Sequence, residues 1–187
     1  LGRYLPIEAL QILWLNMLNS ITMTVPLSFE PKSPRVMEKP PRNPTESLLS
    51  RDRIKRIVIV AIYNWIVIFG MFEWSFRTYP DQLPLARTIA VQSLVSGRIF
   101  YLLSISQLLP NLIAKMKGTL NSKVGASAII GGIIGAIILQ ILFSQVPLLN
   151  RIFQTAPLDA TQWLICLAAG LPMIPVALLV NRLDPPN

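Results

Sequence analysis

"ASAIIGGIIGAIILQILF", residues 126–143, runs for eighteen positions without a charge. As a helix at about 1.5 Å per residue it would reach about 27 Å, close to the roughly 30 Å hydrocarbon core of a bilayer. A helix satisfies its own backbone groups, as lipid requires. Working outward, comparable apolar runs fall at about 10–29, 54–76, 86–107, 125–144 and 161–181. The overall content, 52% hydrophobic and 14% charged, decides little, because soluble domains are about half apolar too. The distribution decides more: mean hydropathy is +0.53, and five such runs in 187 residues leave no room for a separate soluble domain. The expected fold is an all-α membrane protein, a five-helix transmembrane bundle in contact with the lipid bilayer.

The basic residues sort by side. The 31–56 segment carries Lys32, Arg35, Lys39, Arg42, Arg51, Arg53, Lys55 and Arg56. The 108–124 loop adds Lys115, Lys117 and Lys123, and the tail adds Arg182. The other side holds only Arg3, Arg77, Arg87 and Arg151, while Arg98 lies inside a span. The positive-inside rule then expects loops 31–56 and 108–124 and the C-terminus in the cytoplasm. The net charge of +8 is therefore topology, and no nucleic-acid partner is expected.

Several chemistries are excluded at this stage. Cys166 is alone and there is no histidine, so no disulfide framework or Cys/His zinc site can form within the chain. No signal-peptide pattern or phosphate-cradling GxxxxGK[ST] motif occurs. No catalytic residue is assigned, and no metal ligand set can be named. The chain opens on Leu1 and has an odd span count, which leads to the expectation of a piece of a longer protein. Gly131 and Gly135 have the small-xxx-small spacing of close helix packing, and Pro172 and Pro175 should bend the last span. Trp14 and the pair Trp74 and Tyr79, near span ends, read as interfacial anchors.

Two stretches stand apart. In "PKSPRVMEKPPRNPTESLLSRDRIKR", residues 31–56, five prolines stiffen a charged segment into an extended arm suited to docking a cytoplasmic partner. In "WLNMLNSITMTVPLSFEP", residues 14–31, the side chains of Asn16, Asn19 and Ser20 fall at i, i+3 and i+4, on one helix face. Met23 continues that face. Pro26, one turn on, can loosen the backbone and free carbonyls.

The stretch 10–44, "LQILWLNMLNSITMTVPLSFEPKSPRVMEKPPRNP", resembles the sixth transmembrane helix and following loop of P-type cation-transporting ATPases, in the calcium-pump and sodium-pump branch. The matching residues are Leu13, Trp14, Asn16, Leu27, Phe29, Pro31, Met37, Pro40, Pro41 and Arg42. "ARTIAVQSLV", 86–95, is similar to the eighth helix, and "LDATQWLICL", 158–167, to the entry of the tenth. The resemblance implies helices six to ten of the pump, one domain over 1–187, with a cytoplasmic coupling loop at 31–53. The phosphorylation domain and helices one to five would be supplied by the remaining N-terminal part of the same pump. ATP and Mg2+ would be expected for the full-length protein, and no cofactor for this fragment. The implied function is to line the transport site for a cation and couple it to the absent phosphorylation domain.

By the same resemblance, Asn16, Asn19 and Ser20 line the ion site, and Pro40, Pro41 and Arg42 belong to the coupling loop. The departures from the family pattern matter. Ser20 stands where a carboxylate is common, and Arg98 stands where calcium pumps often carry a Glu. Read functionally, Arg98 is a built-in countercharge that replaces one bound ion; read structurally, it bonds helix-end carbonyls. A different class also fits the residues alone: a free-standing five-helix membrane subunit or channel-like module without ATPase activity.

Overall fold

The computed structural model describes residues 4–29, 51–106 and 124–183, and all elements among them are helical. The expected coupling loop, with Pro40, Pro41 and Arg42, lies outside the described residues. In chain order the helices are α1 (Ala9–Asn19), a π turn (Ser20–Thr24), α2 (Val25–Ser28), α3 (Arg51–Thr78) and α4 (Leu83–Ile105). These are followed by α5 (Val124–Gln145), α6 (Pro147–Phe153), α7 (Ala160–Gly170) and α8 (Met173–Leu183). Four stretches are long and apolar enough to cross a membrane: Arg53–Thr78, Leu83–Ile105, Ala128–Gln145 and Ala160–Val180. The remaining apolar run, 10–29, is helical too, but the π turn and its polar side chains divide it into short pieces.

Helix α4 is the centre of the bundle. Every residue from Leu85 to Gly97 is buried, because small side chains such as Ala86, Ala90, Ser93 and Gly97 let neighbours approach on all sides. Phe72 of α3 packs on Ala86 and Ala90, while Leu85 and Ile89 meet Cys166 of α7. Against a third side, Val91, Leu94 and Val95 join Trp14, Leu15 and Leu18 of α1 and Phe143 of α5. Trp14 is therefore a core residue and not an interfacial anchor. It is only 9% exposed, stacks on Phe143 at 5.2 Å, and donates from Nε1 to Gln140 Oε1 at 3.1 Å. Trp74, by contrast, is exposed.

Short-range chemistry sets the ends. Pro147 opens α6, and Gln154, at φ 50°, closes it in the left-handed conformation. Asp159 and Gln162 form a reciprocal capping box at the start of α7. Near the start of α4, the buried Arg87 pairs with Glu8, donates from Nε to Leu5 O at 3.1 Å, and so ties the lead of α1 to the bundle. Glu73 forms an exposed i, i+4 pair with Arg77 at 2.8 Å.

Candidate functional site

The polar residues of α1 are divided by their surroundings. Asn16 and Ser20 are exposed, and Ser20 Oγ donates to the Asn16 carbonyl at 3.0 Å. Asn19 is half-buried, and its Oδ1 is buried without a hydrogen-bond partner. Met23, expected to continue the same face, instead turns into a core cluster with Leu102 and Ile129.

The backbone loosens at these residues. From Ser20 to Thr24 the turn is π-helical, and the N–H of Val25 reaches the carbonyl of Ser20, five residues back. The cause is close at hand: Pro26 has no N–H to return to the Thr22 carbonyl four residues earlier. Such single π turns in an α-helix widen the spacing of carbonyls and often mark functional positions. The hydroxyl of Thr22 bonds back to Leu18 O at 2.7 Å, a local contact that also bends helices.

Arg98 lies at the same depth as Asn19. One turn before it, Leu94 packs with Leu15 and Leu18; one turn after it, Leu102 packs with Met23. Asn19 occupies the matching interval on α1, between Leu18 and Met23. Arg98 is half-buried, and its Nη1, like Asn19 Oδ1, is buried with no partner among the described residues. A third orphan, Asn64 Oδ1 on α3, belongs to the same region, since Ile68 one turn along packs on the Trp14 and Leu94 cluster. Buried polar atoms are rarely left unpaired, and the further ones among the described residues are Ser75 Oγ, Ser93 Oγ and Gln140 Nε2. In a membrane the cost is higher, because lipid offers no substitute.

No three Asp, Glu, Cys or His side chains cluster among the described residues. What the layer offers is neutral oxygens, loosened carbonyls and one guanidinium. Hard divalent cations prefer several oxygens with carboxylate charge among them. A cavity of about 550 Å³ opens elsewhere, between α4, α5 and α7, lined by Gln92, Gln140, Trp163 and Cys166, and none of the expected site residues faces it.

The chain's own sequence identifies the larger assembly. The family described as "Cation transporting ATPase, C-terminus" matches residues 4–183, and the chain belongs to it, as the membrane-embedded C-terminal domain of a P-type ATPase. It is 56% identical over 97% of its length to the cation-transporting ATPase pma1 of Synechocystis sp., covering 20% of that protein. It is 33% identical over 87% of its length to the probable cation-transporting ATPase F of Mycobacterium tuberculosis, covering 17% of it. A human calcium-transporting ATPase, type 2C member 1, is 27% identical over 96% of the chain, with 19% of that protein covered. The chain thus spans about a fifth of the length of the curated relatives it matches.

Sequence reasoning missed Asn64 and misjudged the glycines. Gly131 has open space around it, whereas Gly132 faces the π turn directly. The signal for Asn64 was present, a lone amide within an apolar run, but its level relative to Arg98 depends on how α3 and α4 pair. Gln140, the lone amide in the charge-free run, gave the same kind of signal. Its Oε1 accepts from Trp14 and its carbonyl accepts from Gln92 Nε2 at 3.0 Å.

Proposed function

We propose that this chain is helices six to ten of an ATP-driven cation pump, and that Asn16, Asn19 and Ser20 line its transport site with Arg98 tuning the charge. The observation that carries the reading is that two orphaned polar groups, Asn19 Oδ1 and Arg98 Nη1, fall between the same two apolar clusters and beside a π turn. Asn16 and Ser20 are exposed on the same helix, available to elements of the protein that this chain does not contain. Carboxylates for the cation would come from those elements, helices four and five.

In this reading ATP and Mg2+ act on the phosphorylation domain, and the arm at 31–53 couples that domain to the membrane site. Loops 31–56 and 108–124 and the C-terminus face the cytoplasm, supported by their Lys and Arg content. The guanidinium of Arg98 supplies a fixed positive charge where a second ion would otherwise sit. That favours one cation of low charge per cycle, a proton or an alkali ion, over a pair of divalent ions.

Cation-dependent phosphorylation of the full-length protein, screened across protons, alkali ions and divalent ions, tests this. Stimulation by one low-charge cation is expected; phosphorylation indifferent to every cation would defeat it. The arm has its own test. Replacing Pro40, Pro41 and Arg42 should reduce ATP turnover while cation affinity stays near the parent's. A loss of affinity with normal turnover at saturating cation would refute that division of labour.

A further inference from the structure

The π turn has a neighbour that makes room for it. A methyl group built on Gly132 of α5 would collide with the Thr22 carbonyl oxygen and would stand 2.6 Å from Pro26 Cγ and 3.1 Å from Pro26 Cβ. These are the two groups that define the turn: the carbonyl that Pro26 cannot partner, and the proline ring itself. Real Cβ atoms do not approach backbone oxygen or ring carbon so closely, so a larger residue here must move the turn or move α5. The adjacent glycines make no such demand. Gly131 has nothing within 4 Å, and a methyl on Gly135 would sit at an ordinary 3.7 Å from Thr22 Cγ2. The flanking contacts are firm, since Ile129 is buried against Met23 and Leu102, and Phe143 is buried against Trp14. With α5 held at both ends of this contact, the turn is the part that would yield.

We infer that Gly132 is a positioning residue for the cation site: its missing side chain lets the Thr22 carbonyl and the Pro26 ring keep the π turn in the shape that presents Asn19 and Ser20. The inference rests on the reading of these residues as the site lining, and it extends that site to a helix that contributes no polar group to it. Gly132 touches no cation in this account. It acts through the turn, so its substitution should change affinity and leave maximal turnover largely intact.

The test compares Gly131→Ala, Gly132→Ala and Gly135→Ala in the full-length protein, reading the cation concentration for half-maximal phosphorylation and the turnover at saturating cation. Gly132→Ala is expected to raise the half-maximal concentration by about tenfold or more, as a misplacement of about 1 Å in a coordinating group would, with turnover near the parent's. The other two should match the parent. Parent-like affinity in Gly132→Ala, or an equal loss in all three, would overturn the inference, the latter because generic packing of α5 would then suffice. If Gly132→Ala fails to accumulate in the membrane, adding Pro26→Gly removes the ring atoms it meets and supplies an N–H that draws the Thr22 carbonyl back into the helix, and should restore accumulation, with weakened cation affinity. No recovery, or recovery with parent-like affinity, overturns it as well. The parent's own response separates the two readings. If its phosphorylation ignores cations, the functional reading falls. Accumulation and melting temperature of the single and double variants then still measure coupling between positions 132 and 26, and additive effects would sink the inference.

Discussion

Two apolar helical regions of this chain are broken, and they are broken differently. The π turn between α1 and α2 precedes Pro26, and the interruption between α7 and α8 contains Pro172, with Pro175 just inside α8. At the second break the neighbours close the gap. Tyr63 of α3 donates its hydroxyl to Ala169 O at 3.0 Å, with Gly170 O at 3.3 Å, and Ser96 Oγ reaches Leu167 O at 3.5 Å. The local backbone re-bonds as well, Leu171 N to Ala168 O and Ile174 N to Leu171 O. Gly170 lies so close to Ser96 and Gly97 that a methyl there would collide with Ser96 Oγ. At the first break no side chain of another helix donates to the loosened turn among the described residues, and Asn19 keeps an unpaired oxygen. A proline in a membrane helix is therefore no sign of function by itself. What distinguishes the two breaks is whether the freed groups are already satisfied.

The largest expected effect tests the charge at the open break. At an effective dielectric of about 20, two unit charges about 6 Å apart repel by about 3 kcal/mol, or about a hundredfold in affinity. A divalent ion would feel about twice that energy, so Arg98→Gln should strengthen divalent-cation binding by at least about a hundredfold, and Ser20→Asp added to it should strengthen it further. Isothermal binding or divalent-stimulated phosphorylation would measure it. If the parent already binds calcium at low concentration and the double variant binds it no better, Arg98 does not face the site.

The next effect separates the breaks by what each loses. Asn19→Leu removes an orphaned buried oxygen, so stability should hold or improve by about 1 kcal/mol, while cation affinity falls about tenfold. Unchanged affinity would make the first break structural, like the second, and erase the contrast. Tyr63→Phe should do the reverse. It strands the Ala169 carbonyl and should cost about 1–2 kcal/mol, seen as a lower melting temperature in detergent, with cation affinity unaltered. A shift in affinity there would mean that the second break also takes part in transport. The smallest effect belongs to neither break. Glu73→Gln, at an exposed pair whose side chains are 39% and 77% exposed, should change stability by no more than about 0.5 kcal/mol and transport not at all.

How much of this could be read in advance differs by feature. The helices could be, because length and hydropathy act locally: 126–143 has no charge, and nothing but a buried or spanning helix accommodates it. The loosening near Pro26 could be too, since a missing N–H is a property of the residue and its position. The family likeness rested on residues such as Trp14, Asn16, Pro40 and Pro41, which stand in order along one strip of chain. Trp14 shows the limit. Its place near a span end suggested an interfacial belt, yet its indole is buried against Phe143 and bonded to Gln140, 126 residues away.

By itself, then, the sequence determined which long apolar segments are helical, though not the short helix Pro147–Phe153, where a backbone donor is missing, and which side chains in an apolar run are polar, because each follows from local composition and spacing. Only the tertiary structure decided which of those polar groups would find partners. Asn19 and Arg98 lie far apart in the chain and reach one depth because Leu15 and Leu18 pack with Leu94, and Met23 with Leu102. Gly132, and not Gly131, receives the π turn because α5 is turned about its axis so that one of two adjacent glycines faces α1 and α2. That selection is made by packing between helices, a relation that no local pattern in the chain encodes.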